Sequence, residues 1–317
     1  MKTNFTKDVF ANQNEVRWCP GCGDYAILSA LQKTFAELGL PPTEHAIVSG
    51  IGCSGRLPYY MNTFGYHTIH GRATAVATGL KLTRPQLNVW IITGDGDALS
   101  IGANHLMHLL RRNINVNILM FNNQVYGLTK GQFSPTSKIG QVTKTSPEGV
   151  AQNPVNPLQF ALGCGASFVA RALDKDPAHL SEVLQAAYAH QGCSFIEIYQ
   201  DCHVFNAGAF DAFSTKTQRA EHVLYLQSGQ KLCYGENKGL GEGLIKTADI
   251  QEACIHHLDD FEQAMRLSRL SFPDFPVPVG VFYQSEKNIY THPTHQEIAD
   301  ENELNALYRK GASWNRT

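Results

Sequence analysis

Four apolar runs in the first two-thirds of the chain each stop at a cluster of chemically special residues. Ala46-Ile47-Val48 leads into Gly50-Ile51-Gly52-Cys53-Ser54-Gly55, and Val89-Trp90-Ile91-Ile92 leads into Gly94-Asp95-Gly96-Asp97. Residues 116–121 lead into Asn122-Asn123 and on to Lys130, and Phe195-Ile196-Glu197-Ile198-Tyr199 ends just before Cys202. Helical patterns lie between these runs. Ile27, Leu28, Leu31, Phe35 and Leu38 recur at helical spacing behind Asp24, an expected N-cap, and Gly39 before Pro41 closes that helix. Residues 73–82 read as a helix rich in small side chains, 99–112 as another, and 176–190 as a third opened by Asp-Pro. Thr68-Ile69-His70 has the character of a further strand. Strands alternating with helices predict an α/β fold, a mostly parallel sheet with helices on both faces. In such a sheet ligands bind outside the carboxyl ends of the strands, where these clusters fall.

Past residue 205 the alternation fades. Residues 236–243 are glycine-rich and polar, 248–268 have helical composition, and Phe272-Pro273-Asp274-Phe275-Pro276-Val277-Pro278 must be extended. The expected organisation is therefore a main domain over 1–205 and a C-terminal arm over 206–317, packed on that domain or on a partner. A net charge of −2 gives no basis for nucleic-acid binding. The first eight residues lack the apolar core of a signal peptide, and no apolar run approaches a membrane span. The expected compartment is the cytoplasm.

Magnesium takes near-octahedral oxygen ligands, usually a few protein groups plus substrate phosphates. Asp95 offers a carboxylate at the end of one strand, Asn123 an amide oxygen at the end of the next, and Val125 a backbone carbonyl as the loop turns. Gly94 and Gly96 let the backbone approach a diphosphate. Gly-Asp-Gly alone is usually a tight turn. Followed by a helix, a strand and Asn-Asn, it is the arrangement of thiamine-diphosphate enzymes.

Eight cysteines without a secretory signal point to metal or redox use where they are closely spaced. Cys19 and Cys22 form the one close pair, and Cys53 and Cys202 follow strands that end on the same edge. Thiolates suit zinc or an iron–sulfur centre, and iron–sulfur clusters commonly take four cysteines. Zinc remains an alternative, although it usually employs two tight pairs. A thioredoxin-like dithiol would have no use for Cys53 or Cys202. Cys164, Cys193, Cys233 and Cys254 have no such spacing and read as inert thiols.

Together these strings resemble the beta subunit of the 2-oxoacid:ferredoxin oxidoreductases, and within that family its 2-oxoglutarate branch. The match runs through roughly residues 15–205. It covers Trp18-Cys19-Pro20-Gly21-Cys22-Gly23, Gly52-Cys53-Ser54-Gly55-Arg56, His70-Gly71-Arg72 and Gly94-Asp95-Gly96-Asp97-Ala98. It continues through Asn122-Asn123-Gln124-Val125-Tyr126-Gly127-Leu128-Thr129-Lys130-Gly131-Gln132 and Asp201-Cys202, with no step missing. The resemblance implies a [4Fe-4S] cluster on Cys19, Cys22, Cys53 and Cys202, and Mg2+ on Asp95, Asn123 and the Val125 carbonyl. It implies thiamine diphosphate against Ile51, Gly52, Cys53, Ser54, Gly96, Asp97, Gly127 and Leu128. It also implies an alpha subunit that supplies the activating carboxylate, in a heterotetramer of two alpha and two beta chains. The reaction would be coenzyme A-dependent oxidative decarboxylation of 2-oxoglutarate to succinyl-CoA, reversible, with single electrons passed through the cluster to ferredoxin.

A substrate with two carboxylates calls for fixed cations and donors. Arg56, Arg72 and Lys130 are the candidate cations, and Thr129 and His70 the candidate donors. Arg56 and Arg72 serve equally well in structural ion pairs or phosphate contacts, and Lys130 in binding coenzyme A. His105 and His108 are three apart on a predicted helix with no third ligand and read as packing or solvated residues. His203 stands beside Cys202. Other readings are a pyruvate or broad 2-oxoacid enzyme, a non-redox thiamine-dependent decarboxylase or synthase half, which explains none of the four cysteines, and a zinc-stabilised regulatory subunit, which leaves Gly-Asp-Gly and Asn-Asn unexplained. Iron and zinc content separate these.

Overall fold

The computed structural model describes residues 4–291 together with 302, 305, 306 and 309. In chain order it contains α1 (Asp24–Leu38), β1 (His45–Ser49), β2 (Phe64–His67), α2 (Ala73–Thr83), β3 (Asn88–Gly94), α3 (Asp95–Leu99) and α4 (Ala103–Arg112). There follow β4 (Val116–Asn122), α5 (Pro157–Gly163), β5 (Phe168–Leu173), α6 (Pro177–Ala189), β6 (Cys193–Tyr199), α7 (Asp211–Ser214), α8 (Lys216–His222) and β7 (Val223–Leu226). The remainder is β8 (Cys233–Tyr234), β9 (Lys238–Leu240), β10 (Lys246–Thr247), α9 (Phe261–Leu267) and β11 (Val277–Gln284).

Eight strands form one sheet in the order β2-β1-β3-β4-β6-β5-β11-β7. Every neighbouring pair is parallel except β5 and β11. Successive side chains on a strand point to opposite faces, and both faces are apolar here. On β3, Ile91 joins one core while Trp90 and Ile92 join the other; on β4, Ile118 and Met120 divide likewise from Leu119 and Phe121. Residues of α1 and α6 cover one face, and residues of α2, α4, α5 and α9 cover the other. The mostly parallel, two-faced α/β sheet expected from the alternation is therefore present.

Local expectations were revised in several places. Asp24 is the first residue of α1 rather than its cap; Gly23 holds the cap position and the Asp24 side chain is fully buried. The single helix expected over 99–112 is divided, α3 ending at Leu99 and α4 starting at Ala103. The break has a packing cause. Gly71, at φ +66°, lies so close that a Cβ on it would stand 2.4 Å from the Gly102 nitrogen, so the chain cannot coil straight through there. The edge strand sits at Phe64–His67, ahead of residues 68–70. Of the helical stretch 248–268 only Phe261–Leu267 is α-helical. Beyond residue 205 the chain supplies β7 and β11 to the main sheet, and Leu232, Leu240 and Leu244 of the region around the small antiparallel sheet (β8, β9, β10) pack into one of its cores. None of the described helices is long and apolar enough to cross a membrane.

Candidate active site

Because β1, β3, β4 and β6 are neighbours and run parallel, the residues just past their ends lie side by side on one edge. The ladder continues slightly beyond the strands. Gly50 N–H donates to the Ile92 carbonyl at 2.9 Å, and Gln200 N–H to the Asn122 carbonyl at 3.0 Å. These bonds hold the motif residues in register. A cleft of about 670 Å³ opens at this edge, within the size range of cofactor sites. Ile51, Gly52, Cys53 and Ser54 line it, as do Asp95, Gly96 and Asp97, and Asn123, Val125, Gly127, Leu128 and Thr129, with His70 from the loop after β2.

Asp95 is buried, and its Oδ2 accepts hydrogen bonds from the Ser134 and Thr136 hydroxyls, both at 2.5 Å. Burial pushes its carboxyl up to about 6, and the two hydroxyls pull it back. Asn123 Oδ1 accepts from Val125 N–H at 3.1 Å, while its Nδ2 donates to Gln200 Oε1 at 2.9 Å. A carboxylate and an amide oxygen on adjacent strand ends form a hard-oxygen pair that suits Mg2+. Asp97 has other commitments. Its Oδ1 accepts from Gly71 N–H at 2.7 Å and its Oδ2 from the Thr93 hydroxyl at 2.9 Å. It thus ties the turn after β2 to β3. Gly96 cannot carry a side chain, since a Cβ there would stand 2.1 Å from the Tyr126 ring, whose hydroxyl donates to the Gly96 carbonyl at 3.1 Å. Tyr126 is thereby laid over the bare Gly-Asp-Gly backbone as part of the cleft lining, a cradle fitted to a flat or anionic group.

The cysteines gather beside this cleft. Cys53 lines it, and a Cβ on Gly127 would touch both Cys202 Sγ (3.5 Å) and Cys53 Sγ (3.6 Å). Trp18 Nε1–H donates to the Cys53 carbonyl at 2.8 Å, and Gln200 Nε2–H to Cys22 Sγ at 3.4 Å. Burial drives the thiols of Cys22 and Cys202 up, and that of Cys53 up to about 12. Their charges reinforce one another, Cys22 sensing Cys53 and Cys202, and Cys53 sensing Cys202 and Cys19. Cys22, Cys53 and Cys202 thus resist ionising in one neighbourhood, and a bound metal centre would convert them to thiolates. Among the described residues no three Cys, His, Asp or Glu side chains crowd closely enough for one ion.

Two of the comparisons with known proteins bear on this edge directly. Residues 50–198 match the thiamine pyrophosphate enzyme, C-terminal TPP binding domain. The 2-oxoglutarate oxidoreductase subunit KorB of Mycobacterium tuberculosis is 50% identical over 301 residues, which is 91% of this chain and 80% of that protein. The chain belongs to the beta-subunit family of the 2-oxoglutarate:ferredoxin oxidoreductases. A 2-oxoacid:ferredoxin oxidoreductase subunit beta from Saccharolobus solfataricus is 38% identical over 271 residues, 85% of this chain and 82% of that one. A solved 2-oxoglutarate:ferredoxin oxidoreductase from Magnetococcus marinus, with 2-oxoglutarate, coenzyme A and succinyl-CoA bound, superposes with a TM-score of 0.76 at 33% identity, covering 96% of each chain.

In this beta subunit the expected substrate cations do not line the cleft. Arg56 Nε donates to the Tyr60 hydroxyl at 3.0 Å, Arg72 is hydrogen-bonded to His105, and Lys130 is exposed at φ +78°. Thr129 lines the cleft and bonds Gln132. His105 is thus the partner of Arg72, and the His203 ring packs over Gly21, 3.5 Å from where a Cβ would be. Sequence reasoning missed five side chains that shape the site: Asp24, Tyr126, Ser134, Thr136 and Gln200. Asp24 lies among the cysteines, its carboxyl pushed up to about 7 by burial, with Cys22 pulling it back and Asp174 adding to the rise. Tyr126 stands within the motif string ending at Gln132, Asp24 reads only as a cap, and the hydroxyl-rich string Ser134-Pro135-Thr136-Ser137 is a further signal in the sequence; nothing local points to Gln200.

Proposed function

We propose that this beta subunit, joined to an alpha subunit, carries out the coenzyme A-dependent oxidative decarboxylation of 2-oxoglutarate to succinyl-CoA and CO2. Single electrons leave through a [4Fe-4S] cluster to ferredoxin, and the reaction is reversible. The observation that carries this reading is the position of Cys53, which lines the cleft and stands with Cys202 against Gly127. A cofactor in the cleft and a cluster on the cysteines would share one loop.

Bound thiamine diphosphate supplies the electron sink that lets CO2 leave, and a bound cluster the one-electron acceptor. The chain's own residues prepare for both. Asp95, Asn123 and the Val125 carbonyl hold Mg2+. Ile51, Gly52, Cys53, Ser54, Gly96, Gly127 and Leu128 surround the cofactor, and Asp97 acts by fixing the turn beneath it. Cys19, Cys22, Cys53 and Cys202 hold the cluster. His70 and Thr129, which line the cleft, donate to substrate oxygens, while Arg56, Arg72 and Lys130 stand outside the lining. Leu128 and Ile101 line the cleft yet are 52% and 59% exposed. This open apolar rim fits a site completed by the alpha subunit, which brings the activating carboxylate. The assembly is a heterotetramer of two alpha and two beta chains acting in the cytoplasm.

The test is a visible spectrum of the complex, purified anaerobically with its alpha subunit, before and after 2-oxoglutarate and coenzyme A. Brown absorption that bleaches with 2-oxoglutarate and not with pyruvate is the expected result. A colourless, zinc-loaded protein overturns the oxidoreductase mechanism, and bleaching only by another 2-oxoacid overturns the substrate.

A further inference from the structure

Among the described residues, Gln200 touches both sets of candidate ligands with one side chain. It follows β6 directly and is 1% exposed. Its Nε2 donates one hydrogen to the Asp201 carbonyl at 2.5 Å and the other to Cys22 Sγ at 3.4 Å. Its Oε1 accepts from Asn123 Nδ2 at 2.9 Å. Two acceptors on the nitrogen side and a donor on the oxygen side leave the amide one orientation. The consequence passes to Asn123. With Nδ2 held by Gln200, Asn123 keeps its oxygen for Val125 N–H and the cleft.

We propose that Gln200 is a positioning residue that couples the two centres, fixing the metal-facing oxygen of Asn123 and donating N–H to the sulfur of Cys22. The inference rests on the cofactor assignments made under Proposed function. Hydrogen bonds to cluster sulfurs stabilise the more negative, reduced state and raise the reduction potential. A neighbour that orients a metal ligand commonly contributes 10–100-fold to metal affinity. Gln200 carries both effects, so the electron acceptor and the cation site are set by one amide.

Two substitutions separate the effects in the anaerobically purified complex with its alpha subunit. Gln200→Glu keeps an acceptor for Asn123 and loses the N–H donor to Cys22. It is expected to lower the cluster midpoint potential, read by reductive titration, while Mg2+ affinity at saturating thiamine diphosphate stays near the parent's by calorimetric titration. Gln200→Leu removes donor and acceptor, and is expected to lower the potential and weaken Mg2+ binding by about tenfold or more. Iron content like the parent's in either variant shows that the cluster site has formed. The neutral Gln200→Leu decides the coupling to Cys22, since the carboxylate of Gln200→Glu lowers the potential by its charge alone, and a potential unchanged in Gln200→Leu overturns it. Mg2+ affinity unchanged in Gln200→Leu overturns the positioning of Asn123. If the parent complex itself contains no iron, it is the cofactor assignment that fails.

Discussion

His45 opens β1 fully buried, its ring stacked on Phe35 at a centroid distance of 4.1 Å, and it accepts a bond from Asn88 Nδ2 at 3.1 Å. Burial lowers its pKa from 6.5 to about 4. The fold therefore holds it neutral, whereas an unfolded chain takes up the proton near pH 6.5. Its contribution is present above that pH and is lost as pH falls through about 4, up to about 3 kcal/mol in all. The buried carboxyls of Asp24, Asp95 and Asp174, raised to about 7, 6 and 6, act in the opposite direction, their contribution present at low pH and lost as pH rises. The useful measurement is thus a difference. Thermal midpoints of the chain and of His45→Phe, taken by circular dichroism from pH 7 to 4, should converge or cross toward the acid end, the parent falling relative to the variant. Parallel curves would show that His45 does not titrate in this window.

The segment joining β4 to α5 spans residues 123–156 without an α-helix or a named strand. Loops of that length in compact domains are usually functional, and this one is pinned by side chains. Thr136 is bonded to Asp95 Oδ2 at 2.5 Å and to Asn122 Oδ1 at 2.9 Å, and the Ser137 hydroxyl donates to the Gln124 carbonyl at 2.7 Å. The loop thereby fixes the Asp95 carboxylate, the group proposed to face the cation. Thr136→Val, close in shape but without the hydroxyl, should weaken Mg2+ binding by about tenfold, and Thr136→Ser should largely restore it. Calorimetric titration of Mg2+ into thiamine diphosphate-saturated complex decides this. Equal affinity in parent and valine variant would reduce the hydroxyl to a packing group.

At the scale of the whole molecule a buried polar chain runs from the site across the neighbouring strands β4, β6, β5 and β11. Asn122 Nδ2 donates to Glu197 Oε1 at 2.6 Å, and Glu197 Oε2 pairs with Arg171 Nε at 2.7 Å, with side-chain exposures of 3% for Arg171 and 0% for Glu197. The Arg171 guanidinium lies 4.8 Å from the Tyr199 ring centroid and 5.4 Å from that of Phe282 on β11. The desolvated ion pair joins β5 to β6, and the same guanidinium reaches the strand contributed from beyond residue 205 by donating to the Pro278 carbonyl at 3.4 Å. Arg171→Met leaves the Glu197 charge buried alone and should cost about 3–5 kcal/mol in denaturant unfolding. Adding Glu197→Gln should recover much of the loss, and a double variant no more stable than the single would discount the ion pair.

The strand ends and the glycine, carboxylate and cysteine clusters that follow them were legible because each is a local pattern. An apolar run, a helix period and the residue at a turn are all read within a few positions. That is why the α/β class, the ligand-bearing edge and the family strings at Cys19, Cys53, Asp95 and Asn123 were evident without a structure. The rest depends on contacts between residues far apart in the chain. Ser134 meets Asp95 across 39 residues, Asn123 meets Gln200 across 77, and Gln200 meets Cys22 across 178. Arg56 and Arg72, attractive as substrate cations by their place in the motif, turn to Tyr60 and His105 instead. Sequence by itself determined which residue types arrive at the edge of the sheet, since local hydrophobic pattern dictates where strands begin and stop. Only the tertiary structure decided which of them face the cleft, because strand order and side-chain packing bring distant residues together and no local pattern encodes them.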